Sequence, residues 1–290
     1  MNDSVLISVG LPVALAIIMF GLGLSLQVAD FRRVARTPRA VVVALGLQVL
    51  VLPVIAFGLV VAFDLDPLLA VGVMLLAASP GGTTANLFSH LFHGDVALNI
   101  TLTAINSVLA AVTIPLVTNL AIGYFDTDGD LGLQWAKVVQ VIAIVLVPVA
   151  IGMLVRRWSS AFAARADKPV RVFSIVVLVA VAVGALLGER ENLGGYLQQV
   201  GIVTGLLCVL SLGLGYAGAR LARLDQPQAV ASSMEVGIHN TTVALTIALS
   251  VLDSTEVAIP AAVYSILMYV LATAFGFLIT RGAGRVTAAR

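Results

Sequence analysis

Residues 77–92 read AASPGGTTANLFSHLF, inside an apolar run that extends from about 67 to 93. Pro80 has no backbone N–H to donate, and Gly81 and Gly82 tolerate dihedrals outside the helical well. A helix therefore stops and restarts here, and the surroundings decide what the break means. Of the 290 residues, 60% are hydrophobic and 11% charged, with a mean hydropathy of +1.08. A soluble domain carries about 25% charged residues. Apolar stretches of about 20 residues, the length that crosses a bilayer as a helix, recur along the chain. The fold class is an all-α polytopic membrane protein whose main partner is the lipid bilayer. At membrane depth, freed backbone groups are tolerated only where protein buries them or where they line a polar cavity. Thr83, Thr84 and Asn86 supply such a lining.

Working outward, loop signals divide the chain into nine expected spans: 5–28, 38–63, 67–93, 95–122, 135–156, 169–188, 195–222, 226–252 and 256–281. The first run has no basic residue before it and reads as a retained span rather than a cleaved leader. Lys and Arg in short loops mark the cytoplasmic side. Fourteen of the sixteen fall on one side: Arg32, Arg33, Arg36, Arg39, Arg156, Arg157, Arg165, Lys168, Arg171, Arg220, Arg223, Arg281, Arg285 and Arg290. Only Lys137 and Arg190 fall on the other, with most of the acids. The expected topology is N-terminus outside and C-terminus cytoplasmic, in a plasma or inner membrane. Basic residues sorted by membrane side do not form a nucleic-acid surface, and no obligate protein partner is evident. Cys208 is the single cysteine, which rules out an intrachain disulfide.

Every charged residue falls in or near a loop except Glu235, in SSMEVGIHNTTVAL, residues 232–245. An ionisable group at mid-membrane costs a few kcal/mol or more and normally faces a cavity or a bound partner. Gly237 follows it, a second expected interruption. Each interrupted segment is the second from last in its half, so 1–122 (four spans) and 135–290 (five spans) read as inverted repeats. Paired breaks at corresponding positions point to the binding site of a secondary transporter. Asn99, Thr103 and Asn106 share one helical face, and Gln48 stands alone in an apolar run. Gln48, Asn86, Asn99, Thr103 and Glu235 form an all-oxygen set around one carboxylate, which suits a hard monovalent cation such as Na+. For Asn106 an ordinary interhelical hydrogen bond is the expectation.

At these residues the chain resembles the bile acid:sodium symporter family over essentially its whole length. IIMFGLGLSLQVADF, QVLVLP, SPGGTTANLFSHLFHGDVALNITLT and EVGIHNT stand in the family's order and spacing. The resemblance implies a core domain holding two crossed discontinuous helices beside a smaller panel domain. Here the core corresponds to about 38–122 and 195–281, and the panel to about 5–28 and 135–188, in a nine-span variant. It implies a first sodium site at Ala85, Asn86, Asn99, Thr103 and Glu235, where Ala85 offers only its carbonyl. It implies a second at Gln48, Glu235, Val236, Ile238 and residue 239, with carbonyls from Val236 and Ile238. The substrate class it implies is an organic anion, from bile acids to small pantoate-like carboxylates, carried with one or two Na+ by alternating access. Thr83, Thr84 and Asn240, beside the breaks, are the candidate anion-binding residues, because half-helix N-termini favour a carboxylate.

The departure is His239, where the family has glutamine. An imidazole is a poor ligand for an alkali cation. The side chain turns aside while its backbone contributes, or the second ion is lost, or His239, a group that ordinarily titrates near neutrality, makes transport proton-sensitive. The three readings stay open on sequence. An arsenite-exporter-type carrier lacks the cysteine it would need on the broken helix. An intramembrane enzyme is not expected, since His90 and His93 read as an interfacial pair and no hydrolase motif appears. Gly184, Gly188, Gly201 and Gly205 read as helix-packing faces, and Trp135 and Trp158 as interfacial anchors.

Overall fold

The computed structural model describes residues 11–125, 135–188 and 193–281. The expectations that fall on 5–10, 126–134, 189–192 and 282–290 lie outside the described residues. The helices are α1 (Leu11–Ser25), α2 (Val28–Arg32), α3 (Pro38–Gly46), α4 (Leu52–Ala62), α5 (Pro67–Ala78), α6 (Thr83–Leu91), α7 (Val96–Phe125), α8 (Trp135–Trp158), α9 (Ser160–Gly188), α10 (Leu193–Leu221), α11 (Gln226–Gly237), α12 (Thr241–Ser250) and α13 (Thr255–Arg281). The only extended pairing among the described residues is an isolated antiparallel bridge between Gly81 and His239. Pro38–Ala62, Val96–Phe125, Val200–Leu221 and Thr255–Thr280 are each long and apolar enough to cross a bilayer. The pair Pro12–Ser25 and Val28–Ala35, bent by 63°, adds a fifth. The protein is a multi-pass α-helical membrane protein.

The two interrupted segments are built alike. Asp66 caps α5, accepting from Leu68 N at 3.0 Å, with Pro67 in the first turn. Asp225 caps α11, accepting from Gln228 N at 2.8 Å, with Pro227 in the first turn. A side-chain oxygen on the orphan donors and a proline where no donor is needed both favour a helix start. Each of α5 and α11 is 12 residues long. Left-handed residues bracket both segments: Asp64 and His93 around the first, Arg223 and Asp253 around the second.

Two bends arise elsewhere. Between α3 and α4, Leu47–Val51 forms a π-turn with Leu52 N bonded to Leu47 O. Pro53 explains it: its ring would clash with the carbonyl four residues back, and the wider turn relieves that. Between α1 and α2, the freed carbonyl of Leu24 accepts from Arg156 Nη1 of α8 at 2.6 Å.

α1 packs mainly on α8 and α9, while α10 packs on α11 and α13, and α5 on α7 and α13. Two expectations are corrected. The stretch 156–171, read as a connector, is helical apart from Ser159, because α9 starts at Ser160; Pro169, inside α9, does not end the helix. The glycines 184, 201 and 205 are not packing faces: a Cβ at any of them would meet nothing within 4 Å. Close approaches occur instead at Gly23 against the Val149 backbone, Gly152 against the Phe20 carbonyl, Gly72 against the Val257 carbonyl and Gly215 against the Ser232 carbonyl. Trp158 is exposed at the end of α8.

Candidate functional site

Both breaks free backbone groups, and most of those groups find one another. Pro80 cannot donate, so Ser79 N turns to Leu76 O at 3.0 Å, and Ser79 Oγ donates to Leu75 O at 3.0 Å. In α11 the last regular bond runs from Ile238 N to Met234 O. Asn240 N, which would have served Val236 O in an unbroken helix, donates instead to Pro80 O at 2.8 Å. That bond and the Gly81–His239 bridge make the two breaks cross. Gly237 O accepts from Tyr264 Oη at 2.8 Å, and Tyr264 is fully buried.

Glu235 sits at this crossing with 0% exposure. Its Oε2 accepts from Thr103 Oγ1 at 2.6 Å. One helix face of α7 lies along α11: Asn99 Nδ2 donates to Ala231 O at 2.8 Å, and Thr103 reaches Glu235 four residues on. The two helices thus run parallel, in matched register. Asn106, on the same face, approaches the same carboxyl across the helix pair, as expected of an interhelical contact. Gly81 packs directly on the Glu235 carboxyl, leaving no room for a Cβ.

Four buried oxygens here have no donor in the protein: Gln48 Oε1, Asn86 Oδ1, Asn99 Oδ1 and Glu235 Oε1. Each such atom costs about 1–3 kcal/mol unless something meets it. All are hard oxygen donors, the chemistry an alkali cation requires. Gln48 reaches the first break, Nε2 to Ser79 O at 3.5 Å. Ala85 is buried at the start of α6 and its N donates to Gly82 O at 2.9 Å. Among the described residues no group of three or more His, Cys, Asp or Glu side chains could hold a metal.

His239 is buried, with Nε2 3.0 Å from Val236 O and Nδ1 3.2 Å from Leu76 O. Its ring lies edge-on to Tyr264, centroids 5.3 Å apart. Around the breaks, Thr83 is exposed, Thr84 half-buried, and Asn240 half-buried while its Oδ1 caps α12 through Val243 N at 3.3 Å. His90 and His93 are exposed at the far end of α6. Tyr264 and Thr241, whose buried Oγ1 also lacks a partner, escaped the sequence reading. Thr241 carries a signal all the same, as a hydroxyl in the first turn after a break.

A multi-pass helical protein with two crossed, interrupted helices around a buried carboxylate has the form of a secondary transporter. Residues 12–195 match the Sodium Bile acid symporter family, and the chain belongs to that family. An uncharacterized sodium-dependent transporter of Bacillus subtilis (strain 168), YocS, is 31% identical over 264 residues, 90% of this chain and 79% of that protein. The human ileal sodium/bile acid cotransporter is 28% identical over 250 residues, 84% of this chain and 70% of its own length. A probable chloroplastic sodium/metabolite cotransporter of Arabidopsis thaliana, BASS1, is 28% identical over 275 residues, 93% of this chain and 67% of its own. These relatives carry transporter names, not enzyme names.

Proposed function

We propose that this protein is a sodium-coupled symporter of organic anions, bile acids or small carboxylates, working by alternating access in a plasma or inner membrane. The observation that carries the reading is the buried Glu235 carboxyl, bonded to Thr103 on the α7 face that Asn99 shares, together with the unmet buried oxygens of Asn99, of Glu235 and of Asn86 in the first turn of α6. Those side chains, with the Ala85 carbonyl, hold Na+; Glu235 supplies the charge. Gln48 and the Ile238 carbonyl offer further oxygens, while the Val236 carbonyl lies 3.0 Å from His239 Nε2. A bound cation ties both half-helix pairs into one geometry, and the anion binds beside them at Thr83, Thr84 and Asn240, at the N-terminal ends of α6 and α12. Coupling follows if each ligand favours the same state.

The division of labour is a core of about 38–122 and 195–281 moving against a panel of α1, α8 and α9. The extensive packing of α1 on α8 and α9 supports it, and the contacts of α9 with α13 and of α8 with α7 form the boundary across which the panel would move. Nine spans, in two inverted repeats of four and five, follow from counting each interrupted pair as one crossing. The matched caps and bracketing left-handed turns of α5–α6 and α11–α12 support the repeat.

The test is Glu235→Gln and Glu235→Ala in purified protein. Thermal stability is followed against Na+ with K+ as control, and proteoliposome uptake is screened across carboxylates from pyruvate and pantoate to taurocholate. Loss of one ionised ligand, about 1.5–3 kcal/mol, lowers Na+ affinity by about ten- to a hundredfold and removes sodium-stimulated uptake. Wild-type sodium dependence in either folded variant would remove Glu235 from the cation site.

A further inference from the structure

At the crossing two carbonyls meet one ring: Leu76 O near the end of the first helix, which also accepts from Ser79 N at 3.0 Å, and Val236 O near the end of the second, left without its helical donor. Together with the unmet Oε1 of Gln48, whose Nε2 reaches from the π-turn to Ser79 O of the first break, they are the oxygen set that a second hard cation would need. The space between the two carbonyls is filled by protein. The imidazole of His239 lies within hydrogen-bond distance of both, 3.0 Å from Val236 O and 3.2 Å from Leu76 O. Its backbone is pinned by the bridge to Gly81, and its ring packs on Tyr264. The ring is buried and has no oxygen to offer a cation. A ring nitrogen that uses the Val236 carbonyl also denies that carbonyl to an ion.

We propose that His239 closes the second cation site and acts as a built-in cross-tie between the broken helices, so that the transporter binds a single Na+ per cycle. The proposal rests on the reading of Glu235 and its oxygen partners as the remaining sodium site. Two roles usually given to a bound ion are thereby divided. The exchangeable Na+ beside Asn86, Asn99, Thr103 and Glu235 senses the sodium gradient. The imidazole fills the space between α5 and α11. A neutral ring has one N–H, and with the proton on Nδ1 it donates to Leu76 O and ties α5 to the second break without an ion. Coupling with one ion draws half the electrochemical driving force of coupling with two, so the accumulation ratio reached at a given sodium gradient is correspondingly smaller.

The experiment is equilibrium binding of radiolabelled Na+ to purified protein, with K+ as competitor control. A sodium titration of thermal stability gives the Hill slope, and no organic substrate is required. The chains compared are wild type, His239→Gln, His239→Ala and Glu235→Gln, each checked for monodispersity. Wild type is expected to bind one Na+ with a slope near unity. His239→Gln, which replaces the ring by an amide oxygen, is expected to double the bound Na+ and to give a cooperative titration. If the Gln variant fails to fold, His239→Ala, which opens both carbonyls, is expected to show the second, weaker ion. Two ions on the wild-type chain would overturn the proposal while leaving the Glu235 site intact. So would one ion on a folded His239→Gln or His239→Ala variant. Undiminished binding in Glu235→Gln would instead bring down the underlying sodium site. The two failures are therefore distinguishable.

Discussion

Gly81 and Gly82 are neighbours with opposite demands. A Cβ on Gly81 would fall on the Glu235 carboxyl, whereas one on Gly82 would sit 3.8 Å from Asn240 Cα, an ordinary contact. Gly82 has extended dihedrals, φ −113° and ψ 174°, that alanine adopts without strain. Gly81→Ala is therefore expected to push the carboxylate out of line and to weaken Na+ binding by about ten- to a hundredfold, the equivalent of about 1–3 kcal/mol of overpacking. Gly82→Ala should leave Na+ affinity within about twofold of wild type, since it adds only a van der Waals contact. Sodium titrations of thermal stability on both variants decide the matter, and equal losses would show that the glycines serve the backbone rather than the carboxyl.

Among elements, the glycines separate helices that touch from helices that do not. Gly23 and Gly152 bring the backbones of α1 and α8 into contact, while Gly201 and Gly205 on α10 face open space. Gly23→Ala and Gly152→Ala are each expected to cost about 1–3 kcal/mol by overpacking. Gly201→Ala and Gly205→Ala should gain about 0.5–1 kcal/mol from reduced backbone entropy. Unfolding in mixed micelles orders the four, and a cost at Gly201 or Gly205 would reveal a contact absent within a single chain. The small-residue spacing could not distinguish these pairs, because spacing says nothing about which helix lies opposite. The breaks were legible because their causes are local: Pro80, the glycines and the Asp-capped starts at 66 and 225. So was the face of Asn99 and Thr103, which needs only helical periodicity. The bend after Ser25 was not legible, since the group that takes up Leu24 O is Arg156, more than a hundred residues away. The π-turn at Gln48 had a local signal, Pro53, which reads more readily as a helix start than as a distortion upstream. His239 was legible as an oddity but not as a contact, because its partner carbonyl on Leu76 belongs to the other break.

At the scale of the whole molecule, the proposed topology makes a chemical prediction that the chain is well suited to test. Its single cysteine, Cys208, is buried, so the wild-type protein supplies a nearly silent background for thiol reagents. Arg36, Ser159, Arg223, Asp64 and Asp253 are all exposed. If the chain crosses nine times with its N-terminus outside, cysteines at 36, 159 and 223 face the cytoplasm and those at 64 and 253 face outward. An impermeant maleimide added to intact cells should then modify positions 64 and 253 and spare the other three until the membrane is opened. The pair 36 and 159 is the most demanding. Four crossings separate them, and two of those belong to the segments 38–62 and 67–91, the second of which is interrupted at Pro80. If α5 and α6 formed a re-entrant hairpin instead of one broken span, positions 159 and 223 would exchange sides relative to 36. Labelling of 159 and 223 from outside, with 36 protected, would therefore reject the crossed-helix arrangement. The proposed pattern requires each broken pair to traverse the bilayer once, which brings the crossing of Pro80 with Asn240, and Glu235 beside it, to mid-membrane, where an ion can be reached alternately from either face.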